Sequence, residues 1–389
     1  MATSIVVTDS VQPAAAAAGQ SRRVIFIDLA RALAAVFMLY GHTVAALLDP
    51  RYQSGTWFEI WVFQRGLTSS LFLLLSGFAF SIATTKHWAS HGFLSPAFFR
   101  RTRRFGLFIL LGYALHFPVE RFADLSTASD QRWRSFLAVD VLQLIGVTFV
   151  IVQLLVSATR TRRAFTITVL ALAVAMIAAT PWIWSLDVSG LAPSVAAYLS
   201  PSVGSQFPLF PWAGFILAGA ALGQLYAAWG AGTIHRYSNR ALITPGAALL
   251  VVAFVLRAVS ESRAAGPGWE AVPAQVTLRM GASLIVLAII AHASHRVVRL
   301  PRVFGAVAQE TLLIYFVHLC IVYGSIWNTG LAQMLGATLG PFETLAYVLI
   351  LMGAMVLLAA VWNRLKHARP RLARWVAIGA GGLLIYRLL

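Results

Sequence analysis

Three ionisable residues share one apolar stretch near the start of the chain: Asp28, Arg31 and His42. Such groups are costly in an apolar setting, so each is a candidate for chemistry. Helical geometry places them together. Eleven residues from Arg31 to His42 advance 1100°, about 20° from three full turns, and about 16 Å along the axis. Asp28, three residues before Arg31, neighbours it on the same face. The pattern predicts a charged pair toward one end of the helix and a histidine toward the other. Imidazole titrates near neutral pH, so His42 suits proton transfer. A lone histidine in an apolar helix is more often a packing group, but an idle polar stripe would be costly to keep out of water.

Arg100, Arg101, Arg103 and Arg104 form two overlapping Arg-x-x-Arg pairs. Residues three apart on a helix face the same way, so each pair can offer two planar guanidinium forks to a polyanion. Anchoring of the chain at a membrane surface is the competing account. Thr311, Tyr315 and His318 make a later helical stripe, with Glu310 just before it. Ser76 and Gly77 interrupt an apolar run, where small residues serve close helix packing. The single cysteine, Cys320, excludes a disulfide framework or thiolate cluster, and no metal site is expected.

The elements that must carry these residues are membrane helices. Of 389 residues, 59% are hydrophobic and only 11% charged, with a mean hydropathy of +0.78. A soluble fold cannot hide that much apolar surface. Apolar runs fall near 24–48, 67–85, 104–119, 135–158, 164–180, 208–229, 241–257, 277–292, 304–327, 343–363 and 375–389. The expected fold is an all-α polytopic bundle of about eleven transmembrane helices, or ten. Residues 1–21 read as a disordered cytoplasmic tail and 22–389 as one transmembrane domain.

The net charge of +17 would suggest nucleic acid in a soluble protein. Here no nucleic-acid partner is expected, because the charge follows the loops. Of the 30 Lys and Arg, 20 lie in one alternate set of connections and 8 in the other. That bias puts the N-terminus in the cytoplasm and the C-terminus outside; the expected location is the cell (inner) membrane. Segments 181–207 and 258–276 are then external, with Trp182, Trp184 and Trp269 as interfacial anchors.

The residues resemble the transmembrane acyltransferase superfamily, which joins acyltransferase family 3 to heparan-alpha-glucosaminide N-acetyltransferase-like proteins. Ile27-Asp28-Leu29 followed by Arg31 and His42 is similar to the first-helix signature of acyltransferase family 3. The Arg-x-x-Arg pairs at 100–104 and Leu71 to Phe78 also resemble that family. Thr311 to His318 resembles a late-helix pattern of the superfamily, and Phe207 to Phe215 is closer to the heparan-type branch. Ala32 departs from the pattern, since a glycine commonly follows the arginine.

The resemblance implies acyl transfer from acetyl-CoA or another acyl-CoA, bound from the cytoplasm, to a hydroxyl or amine of an envelope carbohydrate or glycolipid. Arg100, Arg101, Arg103 and Arg104 would meet the phosphates, with Ser76 nearby, and the pantetheine arm would run past Arg31. His42 would be the general base, or a nucleophile forming an acyl-histidine. Asp28 would brace Arg31. Membrane lipid is the surrounding partner. A transporter or flippase is the competing reading, and it predicts inverted-repeat symmetry, which the sequence does not display.

Overall fold

The computed structural model describes residues 25–230, 233–259, 272–294 and 301–389. The expected tail at 1–21 lies outside them, as does Trp269. Among the described residues the chain is helical and has no strands. Twelve helices form the bundle: α1 (Ile25–Leu47), α2 (Thr56–Thr85), α3 (Pro96–Leu115), α4 (Val141–Ala158), α5 (Arg162–Ser185) and α6 (Leu209–Trp229). They continue with α7 (Ile234–Val259), α8 (Pro273–Ser294), α9 (Arg302–Gln309), α10 (Thr311–Tyr323), α11 (Pro341–Ala368) and α12 (Pro370–Tyr386).

Among the described residues, eight of these are long and apolar enough to cross a membrane on their own, and the count is nine if the α9–α10 pair, bent by 74°, is taken as one span. The expectation of eleven is larger by α3 and α12. Four arginines in its first turns make α3 too polar, and α12 has only 17 residues. Both nevertheless run from one face of the bundle to the other. At its start α3 meets the end of α2, where Arg101 donates to Thr84 Oγ1 at 2.7 Å. At its end it reaches Asp140, the cap of α4. The end of α12 meets the opposite face, where Phe122 N donates to Leu388 O and Trp327 Nε1 to Leu384 O.

The first face therefore gathers the start of α1, the α2–α3 turn and the α11–α12 turn. The second face gathers the α1–α2, α3–α4 and α10–α11 connections. There Leu48 pairs with Leu339, and Val139 O accepts from Gln206 N and Phe207 N.

Local chemistry sets the helix ends. Ser95 caps α3, accepting from Phe98 N, with Pro96 in the first turn. Thr161 caps α5 through Ala164 N. Asp140 and Gln143 form a reciprocal capping box at the start of α4.

Helix packing follows small residues. A Cβ on Gly77 would collide with the backbone of Ile216, and one on Gly219 with the backbone of Leu74. The axes of α2 and α6 thus approach backbone to backbone, which apolar side chains alone would prevent. The run expected at 67–85 is the buried part of α2. The helix begins eleven residues earlier at Thr56, and that extension carries the exposed Trp57, Ile60 and Phe63. At the centre, α1 packs on α2, α8, the α9–α10 pair and α11.

Candidate active site

The two polar stripes predicted on separate helices face each other. Arg31 Nη2 donates to Thr311 Oγ1 at 3.0 Å. His42 Nδ1 lies 2.9 Å from His318 Nε2. Thus α1 and α10 are joined at two points, seven residues apart on α10 and eleven apart on α1. The length of the arginine side chain takes up the difference in rise.

The histidine pair has a defined proton order. Its ring planes are 10° apart with centres 5.1 Å apart, which together with the short N–N distance describes an edge-to-edge hydrogen bond. His318 Nδ1 lies 2.8 Å from the carbonyl oxygen of Ile314. A carbonyl only accepts, so Nδ1 of His318 carries the hydrogen and its Nε2 is a lone pair. That lone pair accepts from His42 Nδ1–H. With both rings neutral, Nε2 of His42 is left unprotonated. His318 is fully buried behind His42, and His42 lines a cavity of about 450 Å³.

The remaining walls come from α1 (Phe37, Met38), α2 (Arg65, Thr68, Ser69, Phe72), the end of α3 (Leu115, His116) and α10 (Tyr315, Tyr323). Asp140 completes them from the cap of α4. Its Oδ1 accepts from Val141 N at 2.7 Å. Its Oδ2 accepts from Tyr315 Oη at 3.2 Å and lies 3.5 Å from His116 Nε2. Burial alone would push the Asp140 carboxyl up. The His116 ring, the Val141 N–H and His42 outweigh that and hold it below the ordinary carboxylate value. A fixed negative charge therefore stands beside the histidine pair. Arg65 also lines the cavity, with its guanidinium 5.7 Å from the Trp61 ring centre.

Residues 23–255 match the family model described as heparan-alpha-glucosaminide N-acetyltransferase, catalytic. The chain belongs to this family. It is accordingly a multi-pass membrane acetyltransferase of a family that acts on carbohydrate. None of the curated proteins matches the chain. The matched region of this acetyltransferase runs from α1 into α7. It holds His42, Arg65 and Asp140, while Thr311, Tyr315 and His318 come from the helices that follow.

In this heparan-type acetyltransferase, the site residues expected from sequence divide into two groups. His42, His318 and Tyr315 meet at the cavity. Asp28 and Arg31 do not line it. Arg31 is spent on Thr311, and Asp28 faces a separate cavity on the first face, beside Arg302, Asn363, Arg364 and His367. Glu310 is structural. Its carboxylate, 4% exposed, accepts from Asn363 Nδ2 at 3.0 Å and from Lys366 Nζ, which fixes the α9–α10 bend against α11. Ser76 bonds back to Phe72 O at 2.8 Å, one turn from the cavity.

The arginine cluster is also divided. Arg101 turns inward to Thr84, Gln153 Oε1 (3.3 Å) and the Phe80 ring (4.6 Å). Arg100, Arg103 and Arg104 remain exposed. The four therefore do not form one receptor for a polyanion.

Sequence reasoning missed Asp140, His116, Arg65 and Tyr323. Asp140 had a readable signal, since Asp-x-x-Gln before an apolar run is a capping box. A polar cap at the end of a buried span marks a place where water or substrate is met. Among the described residues, no group of three His, Cys, Asp or Glu is placed to hold a metal ion.

Proposed function

We propose that this chain transfers an acyl group, acetyl foremost, from a coenzyme A thioester to a hydroxyl or amine of an envelope carbohydrate or glycolipid. The observation that carries the reading is the proton order Ile314 O, His318, His42, which leaves an unprotonated ring nitrogen on His42, a residue that lines the cavity. His42 Nε2 takes the proton of the acceptor hydroxyl or amine as that oxygen or nitrogen attacks the thioester carbonyl carbon. The tetrahedral intermediate collapses by breaking the carbon–sulfur bond. The departing thiolate takes the proton back from the His42 imidazolium. His318 supports the charged state because its Nε2 goes on accepting from His42 Nδ1–H. The negative charge of Asp140 favours the same state. Arg65 faces the charge that develops on the thioester oxygen.

In this reading the first face lies in the cytoplasm of the cell (inner) membrane, as the 20 to 8 division of basic residues supports. The donor phosphates meet Arg100, Arg103 and Arg104. Helix α3 joins the two ends of the substrate path, since those arginines open it and Leu115 closes it at the cavity. Its 20 residues span about 30 Å. The arm of the donor then lies along α3 and α2, past Ser76 and Phe72, rather than past Arg31. The resemblance of the first helix and the arginine pairs to acyltransferase family 3 supports the same donor.

The test is transfer from labelled acetyl-CoA to a glucosaminide in membranes holding the wild-type chain or His42→Ala, with donor affinity measured separately. Transfer by the wild type, lost in the variant without loss of donor affinity, is expected. Equal transfer by both would overturn the role of His42, and none by the wild type would overturn the reaction.

A further inference from the structure

The cavity on the first face shares no wall residue with the reaction cavity and has a volume of about 430 Å³. The start of α1, helix α9 and the end of α11 enclose it. Its charged groups are Asp28, Arg302 and Arg364, with Asn363 and His367 beside them. The two carboxylates of this region have cations of their own. Arg31 stands within electrostatic reach of Asp28, and Lys366 pairs with Glu310 at 2.7 Å. Among the described residues, Arg302 and Arg364 make no ion pair. The cavity therefore keeps two guanidinium groups in excess. Guanidinium is planar, always charged and matched to phosphate oxygens.

The approach to these arginines is apolar. On α11, Leu357, Val361 and Arg364 follow at intervals of four and three, so they share one face. Leu357 and Val361 are exposed, and on a membrane-spanning helix such a row faces lipid. It ends at Arg364, about 10 Å along the axis from Leu357. Helix α9 repeats the arrangement. It is bent by 74° from α10, so where α10 crosses the membrane α9 runs close to the membrane plane. Val303 and Phe304 are exposed beside Arg302, as on an interfacial helix. A free anion would use only the arginines, whereas a lipid would use the arginines and both apolar rows.

We infer that this cavity is a binding site for an anionic phospholipid of the surrounding leaflet. Its phosphate sits between Arg302 and Arg364, and its acyl chains lie along Leu357, Val361 and Phe304. Basic cavities between membrane helices on the cytoplasmic side suit such headgroups, and this face is the one richer in basic residues. The inference stands apart from the acyl-transfer reading, because neither arginine takes part in that reaction.

The experiment titrates the full-length protein, stripped of lipid in a neutral detergent, with fluorescent phosphatidylglycerol. Unlabelled phosphatidylglycerol should displace it. Phosphatidylcholine should compete at least about tenfold less well, and inorganic phosphate and acetyl-CoA at the same concentration should not compete. Arg302→Gln combined with Arg364→Gln should lower the affinity at least about tenfold, the worth of one charge-assisted contact. Acetyl-CoA affinity, measured in each protein, should be unchanged and shows that the fold is kept. Arg364→Gln alone, the milder change, should lower lipid affinity by about fivefold. Undiminished affinity in both variants would overturn the site. Equal competition by phosphatidylcholine would overturn its selectivity for anionic lipid. Displacement by inorganic phosphate would leave a free-anion site in place of a lipid site. Displacement by acetyl-CoA would assign the cavity to the donor and overturn the inference.

Discussion

Nδ1 of His42 and Nε2 of His318 are 276 residues apart in the chain and 2.9 Å apart in space. The Ile314 carbonyl behind His318 fixes which nitrogen of each ring carries its hydrogen. The pair thus acts as a unit, with one ring at the cavity and one holding it.

The two members should fail differently. His42→Ala should lower acyl transfer by about 10²- to 10⁴-fold, as loss of a general base does. His318→Ala should lower kcat by about 10- to 100-fold, the effect of losing an orienting partner. His318→Gln should recover part of the loss, because its amide oxygen can accept from His42 Nδ1–H. Single-turnover rates from labelled acetyl-CoA read these differences. Wild-type rates in His318→Ala would show that the proton order does not matter.

Asp140 should matter through its charge. Asp140→Asn keeps the size of the cap and is expected to lower kcat by at least about tenfold. Tyr315→Phe removes one bond to Asp140 and should cost less. The Asp140 carboxyl is held below its ordinary value of about 3.9. Its contribution to folding is therefore complete above that pH and lost as pH falls through the lower folded-state value. Thermal melting of the wild type and Asp140→Asn should differ near neutrality and converge in acid. Parallel curves down to the most acid pH would remove the charge from the account.

The arginines of α3 should separate by orientation. Arg101→Ala removes the donor to Thr84 Oγ1 and Gln153 Oε1, so the amount of folded protein in the membrane should fall. Replacing Arg100, Arg103 and Arg104 together by Gln should leave that amount unchanged and weaken acetyl-CoA binding at least tenfold. Charge-assisted contacts worth about 1.5–3 kcal/mol each set that scale. Quantitative blotting and donor titration separate the two effects. Unaltered donor affinity in the triple variant would leave these residues as surface anchors.

The contact between α2 and α6 admits no side chain at Gly219. Gly219→Val should destabilise the bundle by more than about 2 kcal/mol, since the collision is with the backbone of Leu74. Gly379→Val, on α12 where nothing lies within 4 Å of the added Cβ, is the matched control. Melting in detergent should drop only for the first.

Topology can be checked by labels. A reporter after Arg104 should read cytoplasmic and one at Ser189 external, because α3, α4 and α5 put these points on opposite faces. The same side for both would break the path from donor arginines to His42.

The sequence by itself determined the membrane-spanning class, the stripe of Arg31 and His42, and the stripe of Thr311, Tyr315 and His318. Hydropathy and the 3.6-residue period are local properties, and each is complete within one helix. The close packing at Gly77 was legible for the same reason. Tertiary structure alone decided that His42 meets His318, that Arg31 is bound to Thr311 and so is kept from the cavity, and that Arg101 turns inward while its neighbours do not. It also decided that Asp140, which caps one helix locally, supplies the negative charge of a site built on two others. Helical periodicity gives the direction in which a side chain leaves its own axis. Which axis stands opposite depends on the packing of all the helices around α1, and no stretch of one helix contains that information.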